Sequence, residues 1–205
     1  MRMNPIGRLL LNSPARAFAQ QRYVLPTMQR LGGDARGCSV LELGCGRGVG
    51  SELLLDEWQA ASVAGLDIDP TMVDRARSRL RDRADIRLAD MTDLTSIDRE
   101  ADGYDVIVEM GALHIEPRWR EALGEVRRLL RPSGRFCFEE IVSPRRQALV
   151  PLATGRRITG GFGRQPLLDE LDRLGLDVLG LARPRVLPLT ATVGDLIGVA
   201  RLRPG

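Results

Sequence analysis

The sequence predicts an α/β fold in which helices cover a mostly parallel sheet. Short apolar runs typical of buried strands alternate with stretches of helical periodicity along most of the chain. The first run, residues 40–43, leads directly into a glycine-rich loop and then a helical stretch. The 205 residues, 43% of them hydrophobic, are enough for one domain with its own core.

Composition excludes several kinds of chemistry. All 30 basic residues are arginine, so no lysine can form a Schiff base or act as a general base. His114 is the only histidine, and the three cysteines form no C-x-x-C pair, which argues against a disulfide framework or a zinc site. We therefore expect no metal, although a carboxylate site for magnesium stays open.

Charge is distributed unevenly. Residues 1–33 and 141–168 each carry five arginines and no acid. Such segments are typical of a solvated surface. The alternative interpretation is that they attract an anionic substrate or allow peripheral contact with an anionic membrane. No apolar run is long enough to span a membrane, and the N-terminus lacks a secretory pattern, so we expect a cytoplasmic protein.

The first 34 residues form a segment of their own, and residues 35–205 form the main domain. Ser13 followed by Pro14 is a helix-start signal, and Pro26 is expected to split the segment into two helices.

The loop after the first strand is the strongest functional signal. Its spacing is G-x-G-x-G-x-G, with Glu42 two residues before the first glycine, whereas the dinucleotide fingerprint is G-x-G-x-x-G. This stretch closely resembles the first motif of the class I S-adenosylmethionine-dependent methyltransferases. The resemblance implies a cofactor cradle formed by Glu42, Gly44, Cys45, Gly46 and Gly48.

The second strand, residues 62–67, ends in Asp67, about twenty residues after the loop, which is the spacing at which an acid meets a ribose diol. The sequence here resembles the second motif of the family, which implies Asp67 on the ribose and Ile68 against the adenine. Asp69 and Pro70 are instead typical of a helix N-cap and first position.

Two further strand ends match the family. Asp90 and Met91 follow the third strand, and the resemblance implies that they contact the adenine, although Asp90 also suits a turn cap. Glu109 and Met110 end the fourth strand and resemble the motif that passes beside the methionine moiety and the reacting methyl group.

The resemblance covers residues 38–205 and implies a three-layer α/β/α sandwich. Its seven-stranded sheet would be mostly parallel, with an antiparallel pair of strands at one edge. Residues 1–34 would cap the substrate cleft and residues 143–165 would form a lid. The function implied is methyl transfer from S-adenosylmethionine to a small-molecule acceptor, with S-adenosylhomocysteine as product.

For the general base, His114 is the first candidate because its ordinary pKa is near neutrality, and packing at a strand-helix junction is the alternative. Glu109, Glu139 and Glu140 are further candidates, and some acceptors need no base. The competing functions are a non-catalytic S-adenosylmethionine-binding protein and a dinucleotide-dependent oxidoreductase. Nucleic acid is not expected as partner because the basic segments contain few aromatic residues. The sequence indicates no oligomeric state.

Overall fold

The computed structural model describes residues 13–97, 103–151, 158, 160–184 and 193–204. Arg156 and Arg157, within the segment expected to act as a lid, lie outside the described residues, as do residues 1–12 of the expected cap.

Seven strands form one sheet, in the order β3-β2-β1-β4-β5-β7-β6. The strands are β1 Ser39–Leu43, β2 Ser62–Asp67, β3 Asp85–Leu88, β4 Tyr104–Met110, β5 Leu130–Glu140, β6 Leu176–Ala182 and β7 Leu196–Leu202. β1 pairs in parallel with β2 and β4, and β7 is antiparallel to both β5 and β6. The expected mostly parallel sheet with an antiparallel pair at one edge is therefore confirmed, with β7 one position in from the edge.

The helices lie on both faces of this sheet. They are α1 Pro14–Ala19, α2 Leu25–Arg30, α3 Val49–Asp56, α4 Pro70–Leu80, α5 Trp119–Leu129, α6 Pro144–Gln147 and α7 Arg164–Arg173. Strand alternation separates two cores: Ile107 packs with α5 and α7 on one face, whereas Val106 and Val108 pack with α2 and α3 on the other. This gives the three layers that were expected.

Local sequence explains where the helices begin. Asp69 caps α4, since its side chain accepts a hydrogen bond of 2.9 Å from the backbone N–H of Thr71, and Pro70 follows at the first helical position. Trp119 opens α5 and is fully buried in the core.

The N-terminal segment differs from the prediction at Pro26. The helices α1 and α2 are joined by a π-helical turn, Gln20–Val24, so Pro26 does not break the segment. Proline cannot donate the hydrogen bond that an α-helix needs at that point, and a π turn just before it reroutes the backbone bonding. The segment consequently crosses the sheet as one continuous arm.

β5 contains one strained residue, at an irregularity where its pairing with β4 shifts register. Ser133 has φ +63°, in the left-handed region that glycine adopts without cost.

None of the helices in the described part of the chain is long and apolar enough to cross a membrane.

Candidate active site

A cavity of about 180 Å³ lies at the carboxyl ends of β1 and β4, where the strand order reverses. Open α/β sheets bind ligands at this point, because the loops that leave neighbouring strands diverge and leave a crevice. The cavity is lined by the β1–α3 loop, the ends of β2 and β4, and the N-terminal arm. Of the predicted site residues, the lining includes Glu42, Gly44, Cys45, Gly46, Asp67, Ile68, Met91 and Met110.

The β1–α3 loop is shaped by glycines with positive φ. Gly44, Gly46 and Gly48 have φ values of +69°, +54° and +79°. A Cβ on Gly46 would have no heavy atom of the described residues within 4 Å, whereas one on Gly48 would lie 2.8 Å from Leu80 of α4. Gly46 therefore faces the open cavity, and Gly48 allows the loop to pack against a helix, outside the lining.

Asp67, at the end of β2, lies directly beside this loop. Its Oδ2 accepts a hydrogen bond of 2.9 Å from the backbone N–H of Gly46, and its Oδ1 accepts one of 2.8 Å from that of Asp69. An ionised carboxylate can accept about four hydrogen bonds, so acceptor capacity remains for a ligand. Burial raises the pKa of Asp67, while the two backbone donors oppose that rise.

Glu42 lies deeper, 3% exposed, with Ser51 Oγ donating a hydrogen bond of 2.5 Å to its Oε2. Burial raises its pKa to about 8, although the Ser51 hydrogen bond works against this shift. The carboxyl group also fills the space beside Gly50, where a Cβ would collide with it. At neutral pH Glu42 is thus mostly protonated in the unliganded protein.

Asp90 and Met91 lie in different surroundings. Met91 lines the cavity, but the carboxylate of Asp90 does not. Its Oδ1 accepts from the backbone and hydroxyl of Thr92 at 2.9 and 2.7 Å, and its Oδ2 accepts from Arg118 at 2.8 Å. The adenine contact expected of Asp90 stays a prediction, and its observed bonds are those of a turn cap.

Glu109 and Glu140 support the loop that follows β4. Both are fully buried. Glu109 Oε1 accepts from the backbone N–H of Ala112 and of Leu113, and Glu140 accepts from Leu113 at 2.9 Å and from His114 at 3.1 Å. Burial, followed by the neighbouring Glu140, raises the pKa of Glu109 well above its ordinary value. Burial raises the pKa of Glu140 to about 7.

His114 lies in this same buried layer, 6% exposed and outside the cavity lining. Its Nδ1 is 2.6 Å from Glu140 Oε2, which favours the tautomer with the proton on Nδ1. Burial lowers the pKa of His114 to about 4, so the ring is neutral at physiological pH.

The sequence predicted that residues 1–34 cap the cleft, but it did not identify which of their side chains line the cavity. Ser13, Arg16, Ala17 and Gln20 all line the cavity, as do Gly111, Ala112, Ile115 and Glu116 after β4. The basic character of the arm was visible in the sequence, but which arginine turns inward depends on contacts with strands more than ninety residues away. Among the described residues no group of three metal-ligating side chains occurs.

Comparison with known proteins finds similarity to methyltransferases. Residues 40–134 match a family model described as a methyltransferase domain. The chain is also similar in fold to an S-adenosylmethionine-dependent methyltransferase from Mesorhizobium loti, with a TM-score of 0.70 and 22% identity over 86% of this chain and 96% of that one.

Two curated relatives have a higher sequence identity to this chain, over shorter alignments. A malonyl-[acyl-carrier protein] O-methyltransferase of Paenibacillus sp. (strain JDR-2) is 33% identical over 110 residues, 52% of this chain and 40% of that protein. A fatty-acid O-methyltransferase of Mycolicibacterium smegmatis is 32% identical over 109 residues, 52% of this chain and 38% of that protein. The aligned part thus covers less than half the length of either relative.

Proposed function

We propose that this chain, in which residues 40–134 match a methyltransferase domain, transfers a methyl group from S-adenosylmethionine to a small, partly apolar acceptor that carries a carboxylate. The observation that carries the proposal is the pairing of the Gly46 cradle with the Asp67 carboxylate across one cavity. The acceptor class rests on the chemistry of the other end of that cavity.

The residues present fit this cofactor. The space beside Gly46 is open to the cavity, which lets a ligand approach the backbone closely. Asp67 has acceptors left for a ribose diol, and Ile68 and Met91 offer apolar surface for a purine ring. The carboxylate of Asp67 also suits a cofactor that carries positive charge at its sulfonium.

The acceptor end of the cavity is mostly uncharged. Ala17 and Gln20 of the arm face Gly111, Ala112 and Ile115 of the loop after β4 in the cavity lining. Arg16, on this side, is paired with the buried carboxylate of Glu139, and Glu116 is half-buried. Such a lining suits an aliphatic chain with one polar head group better than a polyvalent cation or a nucleic acid.

A carboxylate acceptor removes the need for a protein base. When bound, S-adenosylmethionine supplies an electrophilic methyl group on a sulfonium, and a carboxylate oxygen that takes it gives a methyl ester and the neutral thioether without losing a proton. What this chain then supplies is alignment and the exclusion of water. The names of both O-methyltransferase relatives are consistent with an oxygen acceptor.

His114 remains our candidate base for an acceptor that bears a proton. Its neutral ring, with Nδ1 directed at Glu140, leaves Nε2 able to accept. Its low pKa makes it a weak base at neutral pH, which is why a carboxylate is the acceptor we favour.

The covering segments also suit an acceptor presented at a lipid surface. Phe18 of the arm and Leu149, shortly after α6, are each 60% exposed, and Arg145 of α6 is exposed as well. Exposed apolar side chains beside arginines are typical of surfaces that contact anionic lipid.

The test is transfer of a radiolabelled methyl group to acceptors that share one chain and differ in the head group. We expect label to enter a medium-chain fatty acid and to be released as methanol on alkaline hydrolysis, because an ester is the product. The amine and the alcohol of the same chain length serve as matched controls and should stay unlabelled.

Each contrary result selects an alternative. Label in the amine or alcohol alone would reject the carboxylate acceptor and return His114 to the role of base. Tight binding of S-adenosylmethionine with no transfer to any of the panel would favour a non-catalytic binding protein. Hydride transfer with NAD would favour an oxidoreductase.

A further inference from the structure

Arg16 joins the N-terminal arm to the ends of two strands. Its Nη1 and Nη2 donate hydrogen bonds of 2.7 Å each to Oε1 and Oε2 of Glu139, a bidentate pair. Nη2 also donates to the backbone carbonyl of Met110 at 3.0 Å. Met110 and Glu139 are register partners on β4 and β5, so one guanidinium spans both strand ends.

This pair is buried at the cavity. Arg16 is 6% exposed and Glu139 is fully buried, and the carboxylate of Glu139 also accepts from the backbone N–H of Gly194, before β7. A Cβ on Gly111, which lines the cavity beside Met110, would lie 3.5 Å from Arg16 Nη2. The arm, the ends of β4 and β5, and the stretch before β7 therefore meet at one ion pair next to the proposed acceptor end.

From this geometry we infer that the Arg16–Glu139 pair is a latch that holds the N-terminal arm closed over the cofactor cavity and keeps that end of the cavity free of net charge. Arg16 is thereby a positioning residue, since it fixes the arm and the Met110–Gly111 backbone without taking part in bond making. Only the part of the inference that concerns charge in the cavity rests on the proposed cofactor site.

The ion pair suits this role better than apolar packing would. A bidentate guanidinium–carboxylate contact is directional and fixes both the position and the rotation of the helix that carries it. Burial alone would lower the pKa of Arg16, but Glu139 raises it overall, so the guanidinium stays charged. An arginine without a paired carboxylate would repel the positively charged sulfonium of a nearby cofactor, and the negative charge of Glu139 cancels this repulsion.

The first test is hydrogen exchange of the unliganded protein, which needs neither cofactor nor acceptor. Arg16→Gln should accelerate exchange of the amides in residues 14–24 by at least about tenfold and leave the peptides of β1 and β4 unchanged, because only the arm is released. Arg16→Lys, which keeps the charge and loses the bidentate contact, should also accelerate it. Arg22→Gln is the matched control, since Arg22 is exposed on the same arm.

Unchanged exchange of the arm in both Arg16 variants would overturn the latch. Global acceleration that includes β1 and β4 would also overturn it, because the pair would then support the whole fold. Arg16→Lys keeps the test decisive if Arg16→Gln fails to fold.

The second test is the ratio of affinities for S-adenosylmethionine, which is cationic at sulfur, and S-adenosylhomocysteine, which is not. Glu139→Gln leaves Arg16 uncompensated, so it should weaken binding of S-adenosylmethionine by about fivefold more than binding of S-adenosylhomocysteine. Adding Arg16→Gln to that variant should restore the ratio, because both charges are then gone.

If Glu139→Gln weakened the binding of both ligands equally, the proposal that Glu139 balances the charge of Arg16 at the cavity would be overturned. The hydrogen-exchange result would then decide whether the pair holds the arm in place. If the wild-type protein bound neither ligand, the cofactor assignment would fail, and this failure is distinct because the exchange experiment does not depend on it.

Discussion

Glu42 illustrates how a single buried carboxyl group links the site to stability. Its pKa is raised from an ordinary value of 4.5 to about 8, chiefly by burial. A group whose pKa is higher in the folded state binds its proton more tightly there, so its contribution to stability is complete below about pH 4.5 and is lost as the pH rises to about 8. The site thus becomes less stable, when empty, towards alkaline pH.

Glu42→Gln should remove this part of the pH dependence. The free energy of unfolding of the wild type minus that of the variant should fall by about 2 kcal/mol between pH 6 and pH 7.5, since other groups titrate in both proteins and cancel. Denaturant unfolding at several pH values measures this difference. Glu57→Gln, at an exposed position after α3, is the control and should give a flat difference. A flat difference for Glu42→Gln too would contradict the raised pKa.

Sequence reasoning at the residue scale succeeded where a side chain's position follows from its place at a strand end. Glu42, Asp67 and Met110 all come at the carboxyl ends of strands, and the structure brings them to one cavity. It could not find Arg16, because its partner Glu139 is 123 positions away in sequence. Nor could it foresee that Arg118 holds Asp90, a pairing that depends on how α5 packs.

At the scale of elements, the β1–α3 loop contains two glycines with opposite surroundings. Gly46 faces open cavity, whereas Gly48 touches Leu80 and Ala76 of α4. Both have positive φ, so alanine at either position incurs a backbone penalty of about 1 to 2 kcal/mol. Their difference lies in what the added methyl group meets.

This contrast gives a paired prediction. Gly46→Ala should leave a folded protein whose affinity for S-adenosylhomocysteine is largely lost, because the methyl group enters the ligand's space. Gly48→Ala should cost about 1 to 3 kcal/mol more stability than Gly46→Ala, because its methyl group overlaps α4. Thermal unfolding and calorimetric binding of both variants measure the two effects. Normal binding by Gly46→Ala would show that the cradle has been misplaced.

The type and order of the elements followed from the sequence, but some boundaries did not. The cap of α4 is a local feature, which is why Asp69 and Pro70 were placed correctly. The N-terminal arm was not, because the π turn before Pro26 forms in an arm whose Val24, Leu25 and Met28 pack in the core on one face of the sheet. Tertiary packing decided between breaking the helix and widening one turn.

At the scale of the whole molecule, the strand order explains where the cavity lies. The chain reverses direction across the sheet between β1 and β4, and the cavity lies at that reversal. The N-terminal arm reaches the same edge and adds Arg16 and Gln20 to the wall. The sheet thus positions the residues that we propose bind the cofactor, and the arm lines the end where we propose that the acceptor binds.

The central claim is that this cavity binds S-adenosylmethionine through Asp67 and the Gly46 loop. Isothermal titration of the wild type with S-adenosylhomocysteine and with NAD tests it most directly, with Asp67→Ala as the matched variant. We predict binding of S-adenosylhomocysteine and none of NAD. In Asp67→Ala, affinity should fall about 5- to 150-fold, as expected when about 1 to 3 kcal/mol is lost from unpaired ribose hydroxyls. Binding of NAD instead, or an affinity for S-adenosylhomocysteine that Asp67→Ala leaves unchanged, would contradict the account.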